Sequence, residues 1–111
     1  MGNVLILARE EVVAALLGLM VELRGMEPRF LAEGETVTEA LGGDQIPVLI
    51  DCDHPDCTAE TIELIRKGGG DPILFSPSRM MTEVTRLATR YGTRSFTLPT
   101  DPLTFATLLK S

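Results

Sequence analysis

The sequence predicts an α/β domain: a (βα)5 doubly wound sandwich whose five-stranded parallel sheet carries helices on both faces. Three observations predict it. Short, continuously apolar runs recur along the chain, as in strands buried on both sides. Helical periodicity separates each run from the next, and such alternation builds a parallel sheet through right-handed crossovers. The length of 111 residues suits one domain over 1–111, large enough to bury a core. No internal repeat, low-complexity tract or linker interrupts the pattern.

Residues 3–8 (NVLILA) read as the first strand. Over 10–24, Val12, Val13, Leu16, Leu17, Met20 and Leu23 recur at helical spacing, with Gly25 closing the helix. Residues 28–32 form a short second strand. Thr36-x-x-Glu39 is a capping box for a short helix ending at Gly42-Gly43. Residues 47–52 are the third strand. A helix over 58–67 turns Ile62 and Ile65 inward and stops at Gly68-Gly69-Gly70. Residues 71–76 (DPILFS) are the fourth strand. Ser76-Pro77 is an N-cap followed by proline at the first helical position, opening a helix to Tyr91. Residues 95–98 are the fifth strand, and Asp101-Pro102 repeats the cap-then-proline signature for a last helix ending at Ser111.

Composition narrows the function. An apolar fraction of 44% fits a folded domain rather than a disordered one. No apolar run reaches the ~20 residues that cross a bilayer, and the longest candidate, 12–23, contains Glu22. The opening Met-Gly-Asn-Val lacks the basic region of a secretory signal. Two cysteines in that setting suggest reduced thiols, so a cytoplasmic location and no membrane role are expected. The net charge is −6 and the 10 basic residues are scattered, which disfavours nucleic acid as a partner.

In open α/β sheets ligands gather at the carboxyl ends of the strands. Here those ends are Ala8-Arg9, Asp51-Cys52, Ser76 and Leu98. A phosphate cradle of the dinucleotide type needs glycine where the first strand turns into its helix, and Ala8-Arg9-Glu10-Glu11 has none. The glycine triplet 68–70 lies at a helix-to-strand turn, on the opposite edge. Cys52, His54 and Cys57 offer metal donors, but Cys-x4-Cys with no second pair falls outside structural zinc spacing. The same spacing, among Asp51, Asp53 and Asp56, disfavours a redox dithiol. His54 is the only imidazole and Gly-x-Ser-x-Gly is absent, so no hydrolase machinery is legible and no enzyme is expected. What remains is Asp51, a carboxylate at the end of the central strand.

Around Asp51 the chain resembles the receiver domain of bacterial two-component response regulators, over nearly its whole length. "VLIDCDHP" places Asp51 at the end of the third strand with Pro55 four residues on. "AEGETVTEAL" resembles that family's second helix, Ser76 stands where the family ends its fourth strand in Ser or Thr, and Leu98-Pro99 stands at its Lys-Pro. The resemblance implies a flavodoxin-like receiver fold with Asp51 as the phosphoacceptor-equivalent, and a site formed by Ala8, Arg9, Glu10, Asp53, Ser76, Leu98 and Pro99.

Departures from the family pattern are equally informative. The acidic pair that holds Mg²⁺ is replaced by Ala8 and Arg9, the lysine by Leu98, and the aromatic switch residue by Ser95. Without metal and lysine, a transferring phosphoryl group meets Asp51 with nothing to offset repulsion. The expected function is therefore a degenerate (pseudo-)receiver that signals through other proteins, with no cofactor and Mg²⁺ disfavoured. The Arg9 guanidinium is expected to pair with Asp51 in the metal's place. The family also implies a possible homodimer through the face of the fourth helix, fifth strand and last helix, where an exposed Met80 or Met81 would mark the interface. Two other readings use the same residues: a working phosphoacceptor with Glu10 or Glu11 as an improvised metal ligand, and a small-molecule or metal sensor.

Overall fold

The structure, a computed structural model, describes residues 2–42, 45–98 and 100–109. Ten elements follow one another in strict alternation: β1 (Asn3–Leu7), α1 (Glu11–Leu23), β2 (Glu27–Phe30), α2 (Val37–Leu41), β3 (Pro47–Asp51), α3 (Ala59–Lys67), β4 (Asp71–Phe75), α4 (Met81–Tyr91), β5 (Arg94–Ser95) and α5 (Pro102–Leu109). The strands form one parallel sheet in the order β2-β1-β3-β4-β5. The doubly wound fold expected from the sequence is the fold observed.

Alternation of side chains across the strands divides the core in two. Leu5, Leu7, Val48, Ile50 and Leu74 point to the face covered by α2, α3 and α4. Val4, Ile6, Leu49, Ile73 and Phe75 point to the face covered by α1 and α5. On that second face, the Phe96 ring stacks on Phe75 at 5.3 Å and meets Phe105 edge-on at 5.7 Å. These rings tie the end of the sheet to α5.

Local signals explain most element ends. The Thr36 side chain accepts the Glu39 amide at 3.2 Å and Glu39 returns the bond to the Thr36 amide at 2.9 Å, completing the capping box. Asp101 accepts the Thr104 amide at 2.8 Å and caps α5. The glycine triplet stops α3 for two reasons. Gly69 sits at φ +91°, and a Cβ on Gly70 would lie 2.7 Å from the Ile65 side chain. Arg66, from α3, donates to the carbonyls of Tyr91 (2.5 Å) and Gly92 (2.7 Å), closing the end of α4.

Three sequence readings need correction, and the buried face of α1 becomes visible. β2 runs Glu27–Phe30, beginning one residue and ending two residues earlier than read. β5 is only Arg94–Ser95, although the Phe96 amide still donates to the Leu74 carbonyl at 3.0 Å. α4 starts at Met81, not at Pro77: the Ser76 side chain caps a separate turn, accepting the Arg79 amide at 2.9 Å, and the chain reaches the helix only after Met80. On α1 the sheet-facing residues are Leu17, Gly18 and Val21, whereas Val12, Leu16 and Leu23 are exposed. Gly18 sets that rotation, because a Cβ there would lie 3.1 Å from the Phe30 ring that covers it. Gly43, Pro99 and Ser111 lie outside the described residues.

Candidate functional site

The strand order reverses direction between β1 and β3, and side chains at the carboxyl ends of those strands border the resulting crevice. Asp51 ends β3 there, 2% exposed. One carboxylate oxygen accepts the Asp53 amide at 2.9 Å and the other accepts the Arg9 amide at 3.3 Å. Two backbone donors from different loops thus hold a nearly buried acid in a fixed orientation, as burial of such a group requires.

Ser76 lies beside it, following Phe75, whose register partner on β3 is Asp51. The residue is 3% exposed, and its hydroxyl accepts the amides of Ser78 (3.3 Å) and Arg79 (2.9 Å). The turn this makes carries Arg79 back over the crevice. Its guanidinium donates twice to one Asp53 oxygen, from Nη2 at 2.7 Å and from Nε at 3.1 Å. That hydrogen bond holds the Asp53 carboxyl below the usual carboxylate range, aided by the nearby charge of Arg9. It also raises the Arg79 guanidinium further above its ordinary value.

The cation at the site is therefore Arg79, and the expected Arg9–Asp51 ion pair is not formed. Arg9 meets Asp51 through its backbone N–H, while its side chain is exposed. Arg79 is the residue that reading the sequence missed. The available signal was an arginine four residues beyond the end of β4, at the edge where site residues collect.

Ala8 and Leu98 are half-buried and pack into the α1–α5 side of the core. Glu10 is the exposed N-cap residue of α1, with no side-chain capping bond. None of these three supplies Asp51 with a polar partner among the described residues.

A divalent cation of the kind receivers use needs several oxygen donors, carboxylates among them. Here Ala8 and Arg9 stand where the resemblance expects an acidic pair, and Asp53 is already engaged by Arg79. No group of three or more His, Cys, Asp or Glu among the described residues is placed to hold a metal ion. The residues do not fit Mg²⁺. Nor do the thiols form a reactive pair. Burial pushes the Cys57 thiol up to about 11 and moves Cys52 in the same direction. His54 Nδ1 accepts the Asp56 amide at 3.0 Å, so its free edge is Nε2. His54 and Arg9 border a cleft of about 460 Å³ between the end of β1, the start of α1 and β2, whose walls include Ala14, Phe30 and Leu31.

No protein-family model and no curated protein matches this sequence. Solved structures do match. A response regulator receiver protein from Burkholderia phymatum superposes with a TM-score of 0.75 at 15% identity, over 98% of this chain and 95% of that one. A protein described as pilus assembly-related, from Burkholderia pseudomallei, gives 0.74 at 21% identity over 99% and 87%. The signal receiver domain of a modulated diguanylate cyclase from Desulfovibrio desulfuricans gives 0.71 at 19% over 97% and 90%. This chain shares with them the receiver fold, as its sequence motifs suggested. Identities this low speak for the fold alone.

Proposed function

We propose that this chain, built on the receiver fold, is a degenerate receiver: a signalling module that acts by binding other proteins and is not phosphorylated by the Mg²⁺-dependent route. One observation carries the reading. The buried Asp51 is surrounded by Ala8, the Arg9 backbone and an Arg79–Asp53 ion pair, where phosphoryl transfer needs an acidic pair and its metal. Arg79 supplies positive charge, but it spends that charge on Asp53. On this reading, with no nucleophile–base pair among the described residues, the module is not an enzyme, and a cytoplasmic setting suits its two reduced thiols.

Partner contact falls naturally on the α4–β5–α5 face, where a homodimer was expected. Met80 is 70% exposed and Met81 64%, while Val84, Phe105 and Leu109 on the same helices are core. Two adjacent flexible thioethers suit an adaptable surface for a different signalling protein better than a fixed two-fold. Among the described residues no helix is long and apolar enough to cross a membrane, and the scattered bases give nucleic acid no basic face.

A titration with Mg²⁺ and beryllofluoride, a phosphoryl mimic, followed by amide NMR, tests the reading. The amides of Arg9, Asp51, Asp53 and Ser76 are expected not to move at millimolar Mg²⁺. Shifts centred on them, with phosphodonor labelling lost in Asp51→Asn, would instead make Asp51 a working acceptor. The cleft beside His54 supports a second reading, a small anionic ligand held by Arg9. Thermal shifts against a panel of carboxylates and phosphates would support it by a rise that Arg9→Met removes.

A further inference from the structure

Helix α1 carries a second apolar stripe that the domain itself does not bury. Leu17, Gly18 and Val21 meet the sheet. Val12 (79% exposed), Leu16 (47%), Leu19 (55%) and Leu23 (69%) stand on the opposite side. At 3.6 residues per turn these four fall within about 60° of arc. Their spacing of four, three and four residues is that of a coiled-coil seam.

A seam of this kind is completed by another helix with the same spacing, and this one is symmetric about its own middle, between Leu17 and Gly18. A second α1 running antiparallel sets Val12 against the second copy's Leu23, and Leu16 against its Leu19. No charged residue lies on the seam. Glu22, at its margin, comes nearest the second copy's Ala15, and the two Glu22 side chains stay about 13 Å apart along the axis. Beyond Leu23, α1 and α5 leave a groove lined by Leu23, Met26, Leu103, Ala106 and Leu109, with Arg24 at its edge. The antiparallel arrangement brings the projecting Val12 to the mouth of that groove, and the two-fold repeats the fit at the other end. A lipid surface suits the helix poorly. Interfacial helices are flanked by lysine and arginine, whereas α1 is flanked by Glu10, Glu11 and Glu22 with only Arg24 at its end, in a chain of net charge −6.

We propose that α1 is the two-fold interface of a homodimer of this chain, packed antiparallel along Val12, Leu16, Leu19 and Leu23. The helix has 13 residues and is therefore about 20 Å long. With the margin of α5 the contact lies at the small end of specific interfaces, roughly 600 Å² per copy or less. The interface is separate from the Asp51 crevice and does not depend on whether that crevice is active.

Sedimentation velocity from low to high micromolar concentration tests it. The chain is expected to pass from monomer to dimer, and Leu16→Glu/Leu19→Glu to stay monomeric with its helical circular dichroism intact. Leu19→Arg alone serves if the double variant does not fold. A wild-type chain that remains monomeric, or a dimer lost in Met80→Glu/Met81→Glu but kept in the α1 variants, overturns the proposal. Orientation has its own readout. Val12→Cys and Leu23→Cys copies, mixed and oxidised, are expected to cross-link to each other, and efficient cross-linking of Val12→Cys to itself would overturn the antiparallel arrangement.

Discussion

Helices α1 and α4 cover opposite faces of the same sheet, and they are written differently. On α4 the buried side is Val84 and Ala88, with Leu87 and Tyr91 beside them, and the solvent side is Thr82, Glu83, Thr85, Arg86, Thr89 and Arg90. One stripe is apolar because one stripe is covered. On α1 the buried side is Leu17, Gly18 and Val21, yet the solvent side is again aliphatic. The same sheet therefore shows what a helix with one partner looks like, and how α1 departs from it. That second aliphatic side is the one the proposed two-fold would cover.

The largest effect that can break this comparison is a pair of truncations one residue apart. Leu17→Ala empties a fully buried site and is expected to cost about 2–5 kcal/mol. Leu16→Ala removes a side chain that is 47% exposed and is expected to cost under about 1 kcal/mol, as surface changes do. Urea unfolding at the lowest workable protein concentration, where self-association contributes least, measures both. Equal losses would mean that α1 is rotated relative to the arrangement described.

That pair also marks how much of the molecule was legible in the sequence. The two-sided core and the central strands β1, β3 and β4 followed from continuous apolar runs, as strands buried on both faces are written. Ile62 and Ile65 were read correctly as inward because Glu60, Glu63, Arg66 and Lys67 surround them. α1 offered no such contrast, and periodicity alone could not choose between two aliphatic stripes. What rotates the helix is Gly18 against Phe30, a contact between elements that no local pattern contains. The site divides in the same way. Asp51 and Ser76 are strand ends, and reading the strands located them. Arg79 reaches Asp53 across 26 residues through a turn that the Ser-Pro signal made look like the start of a helix.

A smaller effect sharpens the account of that turn, which replaces a first turn of α4. Arg79→Met is expected to return the Asp53 carboxyl toward its ordinary range, because the guanidinium hydrogen bond is the main cause of its depression. The depressed value means the pair contributes stability above the unfolded-state carboxylate range, lost as pH falls through the folded-state value. For a partly exposed pair the loss is about 0.5–1 kcal/mol. Carboxyl NMR titration follows Asp53 directly, and Arg9→Met is expected to move it less, since Arg9 acts only at a distance. An Asp53 unmoved by Arg79→Met would remove the ion pair from the site.

The last effect belongs to the α4 side of the core alone, where Cys57 packs against the cluster containing Val84 and Ala88. Burial raises its thiol from 9.0 to about 11, so the folded chain keeps a proton that the unfolded chain releases first. Protons bound in excess by the folded state make stability fall as pH rises. The thiol's contribution is thus fully present below about pH 9 and is lost between pH 9 and 11. Melting temperatures across that window are expected to decline less steeply in Cys57→Ala than in the parent, and alkylation of Cys57 at pH 8 to be slow. The described residues of the α1 side hold no cysteine. An alkaline decline unchanged by Cys57→Ala would mean that the margin of the α4-side core is open to water, and the contrast between the two faces would then rest on α1 alone.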